Sequence, residues 1–146
     1  MSQAPVTPKK LEQADIEAIF ARSSFIRFMN LEVREVDHEA SRFSARLPLR
    51  PEYERGAAGS SQFHGGAIAA FIDVVGDFAI GMMVGGGVPT MNLRVDYLRP
   101  AVGAYLDGTA IVRKSGRSAA VVDIDIHGPD GKLVAVGRGT YVPITG

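Results

Sequence analysis

Residues His64–Val84 read HGGAIAAFIDVVGDFAIGMMV, and Gly85-Gly86-Gly87 and Pro89 follow. The apolar residues recur with a helical period, and the glycines and proline behind them are the residues that stop a helix. At 100° per residue, Ile68, Phe71, Ile72, Val75, Ala79 and Met82 form one stripe suited to packing on a sheet. The opposite side carries Gly66, Ala69, Ala70, Asp73, Asp77 and Gly81, with no Lys, Arg, Glu or Gln. A solvated face is normally charged, so this one is expected to lie under another subunit or a ligand. Asp73 and Asp77 are one turn apart and have no basic partner on the helix. Such carboxylates either bond to sheet or loop groups or take part in chemistry.

Outward from this helix the period changes to two. Upstream, Leu31-Val33 and Phe43-Ala45-Leu47 alternate with polar residues around a turn at residues 37–40. Downstream come four strand-like stretches, 90–98, 104–114, 119–126 and 133–143, broken by Arg99-Pro100, Ser115-Gly116 and His127–Gly131. Leu11 to Phe20 has helical spacing with a start at Thr7-Pro8, and residues 24–29 make a second short turn. Residues 1–9 are expected to be a flexible lead-in and residues 10–146 one domain. The expected class is α+β, an antiparallel sheet wrapped around one long helix.

Composition narrows the function. The chain has 146 residues, 17 of them glycine, and no cysteine or tryptophan. Nine of the glycines fall between residues 56 and 87, so the excess suggests bared backbone and close packing around the helix. The lack of cysteine removes disulfides, a thiolate nucleophile and Cys-ligated metals. His38, His64 and His127 are widely spaced and form no metal-ligand motif. Sixteen basic residues balance sixteen acidic ones, which does not favour a nucleic-acid or membrane-surface partner. The start MSQAPVTPKK lacks the apolar core of a signal peptide, and the charge-free runs 56–72 and 78–93 fall short of a membrane span. A soluble, cytoplasmic protein is expected.

The helix start has chemistry of its own. In His64-Gly65-Gly66 the first backbone N–H groups have no intrahelical acceptor. Without Cβ atoms on the glycines, a ligand oxygen can approach them, and the helix dipole favours negative charge there. Gly65 and Asp73 are about 12 Å apart along the helix at ~1.5 Å per residue. They cannot act on one carbonyl from the same chain. Two antiparallel helices would bring Gly65 of one chain beside Asp73 of another, so such a site requires a dimer with two equivalent sites.

HGGAIAAFIDVVGDFAIG, with PTMNLRVDYLRPA and KSGRSAAVVDIDIHGPDGKLVAVGRGTYV after it, resembles the hotdog-fold thioesterases of the phenylacetate-degradation (PaaI-like) type. The resemblance runs from about residue 24 to residue 142. It implies a hotdog fold, dimers with sites at their interface, and pairing of dimers into homotetramers. It further implies that the Gly65 N–H polarises a thioester carbonyl, and that Asp73 of the partner chain is nucleophile or general base. By the same likeness Thr90 positions water or the carboxylate, and His64 supports the loop. Relatives with the pattern NxxGxxHGG carry an asparagine six residues before the histidine; here Ala58 and Ser61 stand at the two patterned positions. Gln62, Ser60 and Ser61 are the candidates to replace the missing amide.

Thioester hydrolysis suits this equipment. A thiol of pKa near ~8.5 leaves as thiolate without much help from an acid. An activated water or attacking carboxylate and an oxyanion-stabilising N–H suffice. No GxSxG nucleophile motif is present. Residues 94–117 hold Arg94, Arg99, Arg113, Lys114 and Arg117 against Asp96 and Asp107. These are candidate contacts for coenzyme A phosphates, Arg99 and Arg117 first among them, and Gly66 and Gly116 are further candidates to bind the substrate. Coenzyme A would enter as part of an acyl-CoA substrate, with no separate cofactor. Phe63, Phe71, Met82, Met83 and Tyr97 are candidates for an aryl or medium-chain acyl pocket, and each equally fits plain core. Two other readings stand beside hydrolysis: a dimer that binds acyl-CoA without cleaving it, and a hotdog dehydratase or hydratase.

Overall fold

Alternating sequence becomes sheet, and the apolar period becomes the helix it wraps. The computed structural model describes residues 7–144, so most of the expected lead-in lies outside the described residues. Strands β1 (Glu32–Asp37), β2 (Arg42–Pro48), β3 (Thr90–Tyr97), β4 (Tyr105–Ser115), β5 (Ala120–His127) and β6 (Leu133–Tyr141) form one sheet in the order β1-β2-β4-β5-β6-β3. Every neighbouring pair is antiparallel. Among the described residues three α-helices accompany it, α1 (Gln13–Arg22), α2 (Ser24–Met29) and α3 (Gly65–Val84), with one 3-10 turn at Pro51–Tyr53. This is the expected α+β hotdog fold, with α3 in contact with β2, β3, β4, β5 and β6.

The predicted stripe on α3 is the core face: Ile68, Phe71, Ile72, Val75, Ala79 and Met82 are all buried. They meet Phe43, Leu47, Leu106 and Ile124 from the sheet, none of which is exposed. Two sheet glycines allow the close approach. A Cβ at Gly108 would lie 2.9 Å from the Phe71 ring, and one at Gly137 would run into Ile72. The outer face of the sheet carries paired charges such as Arg46–Asp107 and Arg113–Asp123–Arg138. Exposed pairs of this kind contribute little stability, but they mark the face as wet.

One expectation needs correction. The first helix begins at Gln13, later than Thr7-Pro8. Leu11 donates its N–H to Met82 O at the end of α3, which keeps residues 9–11 extended along that helix. The Asp15 carboxylate then accepts the Glu12 N–H at 2.9 Å and sets the helix start. The two charge-free runs meet in α3 across Asp73 and Asp77, and this 20-residue helix, with a window of mean hydropathy 1.9, is by length and composition alone apolar enough to cross a membrane. Its apolar surface is taken up instead by the sheet and by Phe20 of α1, whose ring meets Phe78 edge-on at 4.9 Å.

Candidate active site

The start of α3 is held on both sides. His64 is the residue before the first turn, and its Nδ1 accepts the Gly66 N–H at 2.9 Å. A ring nitrogen that accepts must be unprotonated, which assigns the proton of the neutral imidazole to Nε2. The Tyr97 hydroxyl donates to Gly65 O at 2.6 Å, and its ring lies 3.2 Å from where a Gly65 Cβ would stand. The Gly65 N–H itself has no acceptor among the described residues. Gly65 lines a cleft of about 300 Å³ shared with Gln62, Tyr97 and Arg99. Helix geometry thus leaves one dipole-backed N–H beside an open space.

Of the three candidates for the missing amide, only Gln62 lines that cleft. Ser60 Oγ is engaged with Arg55 O, and the Ser61 N–H donates to Glu54 Oε2 at 2.7 Å. Ser61 also has φ +55°, the left-handed region that glycine adopts at least cost. Ala58, at the patterned asparagine position, is exposed.

The second half of the site lies two turns along α3. Asp73 Oδ1 accepts the Thr90 hydroxyl at 2.8 Å, and no cation pairs with this carboxylate among the described residues. The Tyr141 hydroxyl, itself buried, donates to Asp73 O at 3.1 Å and holds the turn from below. Burial, reinforced by the Asp73 and Asp77 carboxylates, keeps that phenol neutral far above its ordinary range. Gly76 makes room for it, since a Cβ there would collide with the hydroxyl.

The face expected to be covered by a partner divides in two. Asp77 and Gly81 are covered by the chain itself: Asp77 Oδ1 accepts the Val88 N–H at 2.8 Å, and a Gly81 Cβ would stand 2.7 Å from Gly86 O. Burial first, then the nearby Asp73 charge, raises the Asp77 carboxyl to about 7, and the Val88 N–H opposes the shift. Gly66, Ala69 and Ala70 stay at least partly open, and Asp73 and Asp77 are both half-buried, Asp77 with its Oδ1 engaged by the returning backbone.

The fold therefore groups Gln62, His64, Gly65, Gly66 and Arg99 at one end of α3, and Asp73 with Thr90 at the other. Thr90 and Tyr97 are the two ends of β3, roughly 23 Å apart at ~3.3 Å per residue. Lys114, Gly116 and Arg117 sit at the β4–β5 hairpin. They share the Thr90 end of the sheet, but three strands away, roughly 14 Å across at ~4.8 Å per strand. Of the acyl-pocket candidates, Phe71 and Met82 are core with no exposure. Phe63 and Tyr97 line the cleft. Tyr141 and Arg55 had no sequence signal: one depends on a contact 68 positions away, and the other reaches the cleft beside Arg99 only through the loop's fold.

A family model described as the thioesterase superfamily matches residues 62–135, half the chain, and takes in Gly65, Asp73 and Thr90. The chain belongs to the thioesterase superfamily. It is a hydrolase of that kind. A candidate esterase of Halobacterium salinarum is 29% identical over 126 residues, covering 80% of this chain and 82% of its own. The medium/long-chain acyl-CoA thioesterase YigI of Salmonella typhimurium is 30% identical over 101 residues, 56% of this chain and 63% of its own. The PaaI protein of the Escherichia coli phenylacetic acid degradation operon superposes with a TM-score of 0.77 at 22% identity, over 91% of this chain and 93% of that one. At that identity the likeness is one of fold.

Proposed function

We propose that this thioesterase-superfamily member hydrolyses acyl-CoA thioesters, with an aryl or medium-chain acyl group, as a homodimer that pairs further into a homotetramer. The observation that carries the reading is the Gly65 N–H, the first of a long helix, left without an acceptor among the described residues and beside a cleft. β3 supplies the means of dimerisation. Among the described residues it pairs only with β6, leaving its other edge free, and Met91, Tyr97 and Leu98 are exposed on or beside it. Two such edges set antiparallel bring the Gly65 end of one chain to the Asp73 end of its partner.

In the working site the thioester carbonyl oxygen accepts the Gly65 N–H, and Gln62 supplies the side-chain amide that relatives carry six residues before the histidine. Asp73 of the partner either attacks the carbonyl carbon or takes a proton from the attacking water. Thr90 holds one carboxylate oxygen so that the other faces the substrate. Negative charge gathers on the carbonyl oxygen, where the helix start stabilises it, and coenzyme A leaves as thiolate. His64 keeps the helix start in shape. Arg99 and Arg55, which line the same cleft, meet the coenzyme A phosphates, and Lys114, Gly116 and Arg117 reach them from a neighbouring chain. Coenzyme A enters only within the substrate, and the expected cytoplasmic location belongs to this reading.

Thiol release from a panel of aromatic and aliphatic acyl-CoA esters tests it. Turnover with at least one class is expected, and silence across the panel would overturn it. The unfilled amide position at Ala58 supports one competing reading, a dimer that binds without hydrolysing. Tight CoA-ester binding with no thiol release would establish that instead.

A further inference from the structure

Asp77 lies one turn beyond Asp73 on α3 and takes no part in the chemistry above. Its Oδ1 accepts the Val88 N–H at 2.8 Å, and Val88 is buried. Two residues on, the Thr90 hydroxyl donates to Asp73 Oδ1 at 2.8 Å. The intervening turn is tight: the N–H groups of Gly85 and Gly86 both donate to Gly81 O, at 2.9 and 3.1 Å. Its far side is tied to the sheet by the Val142 N–H on Pro89 O at 2.9 Å. Two carboxylates of one helix thus grip the same short segment, Asp77 by its backbone and Asp73 by its hydroxyl.

We propose that Asp77 is a positioning residue, which anchors Val88 so that the Thr90 hydroxyl stays on Asp73 and leaves the second carboxylate oxygen of Asp73 aimed at the substrate. Only the role given to Asp73 rests on the thioesterase reading. The hydrogen-bonded chain from Asp77 through Val88 and Thr90 to Asp73 stands apart from it. The groups facing Asp77 are the Asp73 carboxylate on its own helix and the Tyr141 phenol of β6.

A double-mutant cycle on the full chain tests the proposal. Asp77→Asn keeps an acceptor oxygen and should leave kcat within about threefold of wild type. Asp77→Ala should lower kcat about tenfold or more with KM within about twofold, and so should Thr90→Val. The double variant should be no slower than Thr90→Val alone, because both remove the same link. Asp77→Ser, too short to reach Val88, replaces the alanine variant if that fails to fold. An unchanged kcat in Asp77→Ala, or losses that multiply in the double variant, would overturn the proposal. The Thr90 side-chain rotamer, read by NMR couplings, needs no activity: one rotamer in wild type and Asp77→Asn, averaging in Asp77→Ala. A Thr90 rotamer indifferent to Asp77 would sink the positioning claim. A wild type without turnover but with that rotamer response would sink only the thioesterase reading.

Discussion

The two halves of α3 carry the same kind of surface and meet opposite fates. Around Gly66, Ala69, Ala70 and Asp73 the small-residue face stays partly open, with the Gly65 N–H at its head. Around Asp77 and Gly81 the same face is closed by the chain's own return through residues 85–88. A stripe of small residues therefore marks close packing but does not say what packs. The difference is where the chain goes next. After Val84 a glycine turn folds back on the helix, while before Gly65 the loop ends abruptly at a histidine cap.

If the open half holds the chemistry and the closed half only the scaffold, substitutions in the two should fail in different ways. The largest effect is expected at Asp73. Asp73→Ala should lower kcat about a thousandfold with little change in KM, measured by thiol release. Retained activity would remove the contrast altogether.

Next is Asp77, where the expected signal is stability against pH. Its carboxyl stands at about 7 in the fold, raised from an ordinary value of 3.8. Between those values the native state keeps a proton that the unfolded chain releases, so rising pH favours unfolding. The stabilisation is complete below about pH 4 and lost by pH 7, to an extent of up to about 4 kcal/mol at 1.36 kcal/mol per unit. Asp77→Asn should abolish this dependence and be the more stable protein near neutrality, as read by urea denaturation at several pH values. Parallel pH curves for the two proteins would show that Asp77 is not the group responsible.

Gly76→Ala probes the seam between the halves. Its methyl displaces the Tyr141 hydroxyl, and overpacking of this kind costs about 1–3 kcal/mol. A fall in melting temperature of about 5 °C is expected by calorimetry. The smallest effects belong to the cations. Arg55→Ala and Arg99→Ala should each raise KM for a CoA ester about three- to tenfold without touching kcat. Arg117→Ala, at the distant hairpin, should change KM about twofold, and a larger rise would mean that a partner's hairpin lies closer to the cleft.

Much of this was legible in the residues. The core stripe from Ile68 to Met82, the strand alternation and the turns gave the fold class, because periodicity and turn chemistry act within a few positions. His64-Gly65-Gly66 gave the bared helix start for the same reason. The partners of Asp73, Asp77 and Gly81 could not be read, since each lies across a turn or a sheet whose path is set by the whole core. Arg55 was missed because a loop position reveals nothing about which cleft it borders.

By itself, then, the sequence determined one helix that must be buried on one side, a sheet to bury it, and a helix start able to receive an oxygen. Those follow from local sterics and from the transfer of apolar surface out of water. Only the tertiary structure decided which carboxylate is tied to backbone and which to a side-chain hydroxyl. Asp73 and Asp77 are one turn apart with identical side chains. The returning turn packs on one of them, whose carboxyl accepts a backbone N–H and is raised by desolvation, while the other keeps a hydroxyl partner.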